Sequence, residues 1–161
     1  METISKHLRD KLKKYHSGSL SSKFFDDNSN LSNKKNFIYC NKKINNIRRV
    51  NKFHELVNSK LNQDGIYVSY VETLEQRRLR IRNKAFIGFK NIIRIIDFIY
   101  KRLIPKLPLL KKIYFSLTKG KNRVISKAEA LGRVISCGFE VLEFFEYQNL
   151  LYIISKKVKE P

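Results

Sequence analysis

The stretch that most constrains the fold is residues 126–158, in which a helix pattern is followed by a glycine and by two apolar runs. Ser126 and Glu129 have the S-x-x-E spacing of a capping box, in which each side chain satisfies a backbone donor of the other residue. Gly138 stands where a left-handed residue would end the helix. Residues 139–155 place two apolar runs around a polar pair and predict a tight β-hairpin. The chain therefore contains a folded α/β unit and is more than a basic tail.

The chain is strongly basic, with 34 Lys and Arg residues against 14 Asp and Glu residues and a formal net charge of +20 over 161 residues. Such a charge favours an anionic partner, which is nucleic acid, an anionic membrane face or a phosphorylated substrate. The alternative explanation is compositional, because an AT-rich genome favours Lys, Asn and Ile codons. A hydrophobic fraction of 42% is sufficient for a core of ordinary size.

The cysteines and the apolar runs indicate a cytoplasmic location. Cys40 and Cys137 are far apart in sequence, which suits two reduced core residues and no disulfide framework. The N-terminus lacks the apolar region of a signal peptide. Residues 85–104 come nearest to a membrane span, but they carry five charged side chains.

The middle of the chain reads as a strand, a helix and a strand. Residues 37–40 are a short apolar run, residues 44–61 place apolar side chains at helical spacing, and residues 66–71 are rich in β-branched and aromatic side chains. Asp64-Gly65 is interpreted as a turn before the second strand. This βαβ pattern predicts a parallel pair of strands.

Residues 1–35 are predicted to form an N-terminal helix and a polar linker outside the main domain, which would comprise residues 36–161. Ile4, Leu8, Leu12 and Tyr15 lie on one helical stripe, and the following stretch is rich in Ser, Asn, Asp and Lys.

A basic helical insertion is predicted at residues 74–112, where twelve side chains are Lys or Arg between residues 76 and 112 and only Asp97 is acidic. Asp97 shares a narrow polar stripe with Lys90, Arg94 and Lys101, and the rest of that helix is apolar. Three interpretations remain open: a lipid-facing helix with a basic edge, a nucleic-acid groove, and a core helix with a solvated ridge. Nucleic acid is the less favoured partner, because no aromatic residue that could stack on bases interrupts residues 77–84.

No catalytic constellation is recognisable in the sequence. The glycines form neither G-x-G nor the phosphate-binding loop, so no nucleotide cofactor is expected. The cysteines lack zinc-site spacing, and no metal is expected. His54 is interpreted as a surface or boundary residue with no part in a catalytic pair.

Two stretches resemble class I methyltransferases. Residues 61–68 are similar to a helix-to-strand passage in the second half of that fold, and residues 126–158 are similar to its end. In that family the last strand runs antiparallel and inserts beside a parallel strand. The resemblance implies a truncated methyltransferase-like, Rossmann-like mixed sheet. Its cofactor-binding half has no counterpart before Asn36, so the resemblance implies a domain that binds no cofactor.

Residues 71–161 resemble the N-terminal region of bacterial polyprenyl-phosphate sugar transferases, which begin lipid-linked envelope polysaccharides such as lipopolysaccharide. The matching phrases include DFIYKRLIPKLP at residues 97–108, KGKNRVISKAEALGR at residues 119–133 and KKVKEP at residues 156–161. The catalytic segment of those glycosyl-1-phosphate transferases has no match here. The resemblance therefore implies a non-catalytic accessory domain, whose partner would be the catalytic segment.

These observations together predict an α/β domain with a mixed sheet of residues 37–40, 66–71, 139–145 and 151–155. The predicted function is that of an accessory domain for envelope polysaccharide synthesis, peripheral to the cytoplasmic face of the inner membrane. A nucleic-acid-binding protein and a degenerate SAM-dependent methyltransferase are the alternatives. The side chains predicted to contact anionic lipid or a lipid phosphate are Arg77, Arg78, Arg80, Arg82, Lys84, Lys90, Arg94, Lys101 and Arg102.

Overall fold

The computed structural model describes residues 34–84, 90–99 and 122–161, together with Lys11, Lys14, Tyr15 and Leu107. The described strands are β1 (Lys35–Tyr39), β2 (Leu61–Val71), β3 (Phe139–Tyr147) and β4 (Leu150–Lys157). The described helices are α1 (Val50–Ser59), α2 (Leu74–Lys84), α3 (Lys90–Phe98) and α4 (Lys127–Ser136), and a 3₁₀ turn covers Ile44–Asn46.

The four strands form one mixed sheet in the order β1-β2-β4-β3. β1 and β2 pair in parallel, and β4 pairs antiparallel with both β2 and β3. The last strand therefore inserts between two strands that run in the same direction. This arrangement confirms the predicted mixed α/β sheet with a C-terminal antiparallel hairpin.

The hairpin between β3 and β4 turns over two residues with positive φ. Gln148 has φ of 49° and Asn149 has φ of 58°, while Tyr147 pairs with Leu150 across the turn. Two consecutive positive φ angles match the right-handed twist of the flanking strands, which is why short hairpins use them. The sequence prediction of a tight hairpin at this polar pair is confirmed.

The predicted helix at residues 44–61 is too long. The α-helical part is α1 alone, and Leu61 already belongs to β2, where its side chain is fully buried. The N-terminal part is a separate 3₁₀ turn, because Asn45 is held by hydrogen bonds to the backbone of Glu72 and Arg123. Helical spacing of apolar residues across both segments concealed this interruption.

The predicted turn at Asp64-Gly65 is also wrong, because both residues lie inside β2. The pairing with β1 passes from Lys35↔Leu61 to Phe37↔Ile66, so β2 bulges here and Asp64 adopts φ of 60°. A Cβ atom on Gly65 would lie 2.9 Å from the carbonyl oxygen of Asn62. The Asp-Gly pair thus permits a bulge rather than a reversal.

The two faces of the sheet carry different side chains. Alternation along β4 sends Leu151 and Ile153 to one face and Tyr152 and Ile154 to the other. The first face packs against α1 and α4 in a core that combines aliphatic side chains such as Val57 with the rings of Phe53, Tyr67 and Phe139. The second face, called the aromatic face below, includes Tyr39, Val68, Tyr70, Phe145, Tyr147, Tyr152 and Ile154.

The structure confirms the predicted N-terminal cap by Ser126 and the end of α4 at Gly138, but Glu129 does not complete the capping box. The hydroxyl of Ser126 accepts a hydrogen bond from the backbone N–H of Glu129 at 3.2 Å. The carboxylate of Glu129 accepts hydrogen bonds from Arg133, one turn further along, instead of completing the box. Gly138 has φ of 85°, which confirms its predicted role at the end of the helix.

His54 belongs to the core, so its interpretation as a surface or boundary residue is wrong. Its side chain is 1% exposed, and its Nδ1 lies 3.1 Å from the hydroxyl oxygen of Tyr67. The buried imidazole has a hydroxyl partner inside the fold, so its burial leaves no unsatisfied polar group at Nδ1.

The predicted N-terminal helix and linker lie almost wholly outside the described residues, so the domain boundary near residue 35 stays a prediction.

Candidate functional site

The polar cluster at the carboxyl end of β2 begins with a reciprocal cap of α2. The backbone N–H of Gln76 donates to the hydroxyl of Thr73 at 3.3 Å, and the backbone N–H of Thr73 donates to the side-chain oxygen of Gln76 at 3.0 Å. This is a capping box with T-x-x-Q spacing. The signal is visible in the sequence, and our sequence reasoning missed it. It fixes the direction in which α2 leaves the sheet.

Glu72 is the acidic centre of this cluster, and it is only 4% exposed. Its two carboxylate oxygens accept from Arg80 Nε at 2.5 Å and from Lys43 Nζ at 3.4 Å. Burial opposes ionisation of this carboxyl, but the hydrogen bond from Arg80 and the charge of Lys43 outweigh it and lower the pKa of Glu72. Glu72 is therefore an anion at neutral pH that pairs with two of the chain's cations.

Asn45 ties the loops around Glu72 together. Its amide donates to the carbonyl oxygens of Glu72 at 2.9 Å and Arg123 at 2.7 Å, and its side-chain oxygen accepts from the backbone N–H of Glu72 at 2.7 Å. Thr73 also forms a parallel bridge with Ile125, just before α4. Three separate chain segments are thus fixed at the point where α2 starts.

Arg77 and Asp97 join α2 to α3. Arg77 donates from Nε to Oδ2 at 2.9 Å and from Nη2 to Oδ1 at 2.6 Å, which is the two-bond geometry that guanidinium and carboxylate groups favour. The side chain of Arg77 is 9% exposed and that of Asp97 is 22% exposed. The acidic residue of α3 is therefore turned toward the protein.

The opposite side of α3 presents large apolar side chains to solvent. Ile92, Ile95, Ile96 and Ile99 follow the i, i+3, i+4, i+7 spacing of one helical stripe. Their exposed fractions range from 44% to 59%. We call these four side chains the isoleucine stripe. Because α3 uses its carboxylate for contact with α2, the stripe faces outward, and the core-helix interpretation does not hold for these residues.

The structure separates the predicted anion-contacting residues into three groups. Arg77 and Arg80 are engaged in ion pairs with Asp97 and Glu72. Arg78 and Arg82 are exposed on α2. Lys101 and Arg102, and the side chains of Lys84, Lys90 and Arg94, lie outside the described part of the chain. Contact of these nine residues with an anionic lipid or phosphate stays a prediction.

The described side chains offer little for acid–base chemistry. Burial, together with the charge of Arg133, lowers the pKa of His54 to about 4, so this imidazole is neutral and enclosed. No group of three or more His, Cys, Asp and Glu residues in the described ranges is placed to hold a metal ion. Among the described helices, none is both long enough and apolar enough to cross a bilayer.

No protein-family model matches the chain, and no curated protein matches it. Solved structures resemble it at low identity. An O-methyltransferase family 2 protein from Planctomyces limnophilus in complex with apigenin is 13% identical, with a TM-score of 0.48 over 83% of this chain and 33% of that one.

An O-methyltransferase family protein from Burkholderia thailandensis is 12% identical, with a TM-score of 0.45 over 96% of this chain and 41% of that one. PKMT2 from Rickettsia typhi is 14% identical, with a TM-score of 0.46 over 98% of this chain and 45% of that one. The chain thus spans less than half the length of each of these three proteins. Similarities of this size carry no argument about its activity, and the fold class stands on the strand order.

Proposed function

We propose that this chain is a non-catalytic accessory module that binds an anionic membrane face through α2 and α3. The observation that carries the proposal is the two-bond ion pair between Arg77 and Asp97. It holds α3 with its carboxylate inward and its isoleucine stripe outward, while Arg78 and Arg82 remain exposed on α2.

The physical argument combines two attractions. An exposed apolar stripe on a helix gains free energy when it enters the boundary between headgroups and acyl chains. Full burial of one isoleucine side chain stabilises by about 1.5–3 kcal/mol, and each basic side chain near an anionic surface contributes about 1 kcal/mol. Neither Arg78 nor Arg82 is held in a buried ion pair, so both are suited to contact lipid phosphates.

The biological setting is a further part of the proposal. The similarity of residues 71–161 to the N-terminal region of polyprenyl-phosphate sugar transferases supports a role in bacterial envelope polysaccharide synthesis. The partner would then be a catalytic sugar transferase segment at the cytoplasmic face of the inner membrane. This setting rests on sequence resemblance, and the membrane contact rests on the geometry of α2 and α3.

Flotation with vesicles tests the membrane contact. We expect the chain to float with vesicles that contain an anionic phospholipid and to remain at the bottom with neutral vesicles, because two attractions are needed. Ile95→Asp should abolish flotation, because it places a carboxylate in the stripe. Ile135→Asp is the matched control, since Ile135 is a helical isoleucine with a similar exposed fraction of 53%, on α4.

Charge reversal on α2 tests the electrostatic contribution to membrane binding separately from the apolar one. The pair Arg78→Glu and Arg82→Glu should reduce flotation strongly, whereas Arg48→Glu and Arg49→Glu, at exposed positions before α1, should have little effect. Recovery that does not depend on lipid charge, or equal losses in test and control variants, would remove the membrane proposal. A steep loss of affinity for RNA or DNA with added salt would favour the nucleic-acid alternative.

A degenerate SAM-dependent methyltransferase is the second candidate, and the strand order favours it. The antiparallel last strand lies between two strands of common direction, as the methyltransferase resemblance implied. Calorimetric titration with S-adenosylmethionine tests this candidate. We expect no heat of binding, and saturable binding at one site would replace the accessory-module proposal.

A further inference from the structure

The aromatic face carries a stack of rings that crosses all four strands. Tyr39 on β1 stacks with Tyr70 on β2 at a centroid distance of 6.2 Å, and Tyr70 stacks with Tyr152 on β4 at 5.5 Å. Tyr152 stacks in turn with Phe145 on β3 at 5.5 Å. Such rings represent a large apolar area, and the helices α1 and α4 pack on the opposite face.

Lys11 and Tyr15 contact the β3 end of this stack. The ammonium of Lys11 lies 4.3 Å from the centre of the Phe145 ring and 3.1 Å from a carboxylate oxygen of Glu143. The hydroxyl of Tyr15 donates to the other oxygen of Glu143 at 2.8 Å. Tyr15 also packs against the apolar cluster of the aromatic face. The carboxylate of Glu143 therefore accepts hydrogen bonds from both Lys11 and Tyr15.

We propose that the aromatic face is the docking surface for the chain's own N-terminal segment, residues 1–15. Lys11 and Tyr15 are four residues apart, which places them on the same side of a helix. The sequence pattern puts Ile4, Leu8 and Leu12 on the stripe that contains Tyr15, so one apolar edge is available to meet the rings.

Charge complementarity supports this occupant. Residues 1–15 contain five Lys and Arg side chains and only two acidic ones, while β3 contributes Glu140 and Glu143. The same carboxylates are unfavourable for an anionic ligand such as single-stranded nucleic acid, even though stacked rings would otherwise suit one. The proposal joins the N-terminal segment to the main domain, whereas the sequence pattern predicts a division near residue 35.

Hydrogen exchange of the full-length chain tests the docking. In the wild type, we expect amides of residues 1–15 to exchange more slowly than their unstructured rate. Glu143→Gln should speed that exchange about tenfold, the factor expected from loss of one charged interaction, and should increase binding of an apolar dye to the aromatic face. Glu146→Gln is the matched control, since Glu146 is an exposed glutamate on the same strand.

The exchange rates distinguish loss of docking from unfolding of the sheet. Unprotected amides at residues 1–15 in the wild type, or equal effects of Glu143→Gln and Glu146→Gln, would overturn the proposal. Should Glu143→Gln also expose the central amides of β4, unfolding has intervened, and Tyr15→Phe then decides. That variant removes a single hydroxyl and should speed exchange of residues 1–15 about threefold with no change in β4. An unchanged rate in Tyr15→Phe would equally overturn the docking.

Discussion

Two regions of the molecule place their apolar side chains differently: the sheet with its two packed helices buries them, and the α2–α3 pair exposes them. In the first region, Val57 and Ile153 point into the buried core between the sheet and the two helices. In the second, the charged groups of Arg77 and Asp97 meet at the helix contact, and the isoleucine stripe points to solvent. A helix that turns its apolar side outward is suited to a further surface, whereas a helix that turns it inward completes the fold.

The comparison also shows why a net charge of +20 says little about which cations are available. Lys157 is 1% exposed, and its ammonium donates to the carbonyl oxygens of Asn58 and Leu61 and to the Glu160 carboxylate. It therefore satisfies backbone acceptors where α1 meets β2. Arg78 and Arg82 have the same formal charge, but they remain exposed.

The largest expected effect comes from Gly138→Ala, at the junction between α4 and β3. A Cβ atom there would collide with the carbonyl oxygen of Lys159 and approach the Asn58 amide nitrogen to 2.7 Å, at a φ of 85°. We expect the free energy of unfolding to fall by about 4 kcal/mol, measured by urea denaturation. The collision lies where α4 meets β3, so the loss would fall on the sheet and its packed helices.

Gly132→Ala is the matched control for this substitution. Gly132 lies in α4, and a Cβ atom there meets no other atom within 4 Å. We expect a gain in stability of about 0.5–1 kcal/mol, because alanine loses less backbone entropy in a helix than glycine does. A loss in Gly132→Ala comparable to that in Gly138→Ala would show that the positive φ and the collision at Gly138 are not what makes that site sensitive.

The next largest effect is a dependence of stability on pH that belongs to the core alone. The pKa of His54 is about 4 in the folded chain and 6.5 as the ordinary value. Between these values the unfolded chain binds the extra proton, so stability is fully present above pH 6.5 and falls as the pH falls toward 4. The total loss is about 3 kcal/mol.

His54→Gln keeps a polar side chain beside Tyr67 and removes the titration. We expect its urea midpoint to be nearly constant between pH 6.5 and 5, a window that lies above the carboxyl range. The wild type should lose about 1 kcal/mol per pH unit on average in the same window, because the unfolded imidazole is only half protonated at pH 6.5. Parallel slopes in the two proteins would show that another group is responsible.

A smaller loss is expected in the α2–α3 pair. Asp97→Asn removes one charge of the ion pair between α2 and α3, where Asp97 is partly exposed. We expect a local cost of about 1–2 kcal/mol, seen as faster amide exchange at residues 90–98 while the β4 amides keep their protection. Uniformly faster exchange across the sheet would mean that the two regions unfold as one unit.

Local patterns predicted much of the sheet region correctly. The strands, the glycine at the end of α4 and the two-residue hairpin follow from alternation, capping and turn preferences that act over a few residues. The bulge at Asp64-Gly65 was mistaken for a turn, because the same dipeptide suits both geometries and only the pairing of β2 with β1 distinguishes them. The exposure of His54 was also wrong, because its partner Tyr67 lies on another element.

The candidate site was less predictable than the sheet. The basic character of residues 76–112 and the apolar side of α3 were evident from spacing. The carboxylates of Glu72 and Asp97, which engage Arg80 and Arg77, could not be assigned, because those partners lie 8 and 20 residues away in the chain.

The amino-acid sequence alone determined the mixed α/β class, the capped helix and the hairpin of this protein, because those properties depend on neighbours along the chain, and it determined the basic charge through composition. The tertiary structure decided which cations are neutralised, which side of α3 is exposed and which segment contacts the aromatic face. Those properties depend on distances between remote residues, and a carboxylate selects its partner by proximity and burial rather than by position in the sequence.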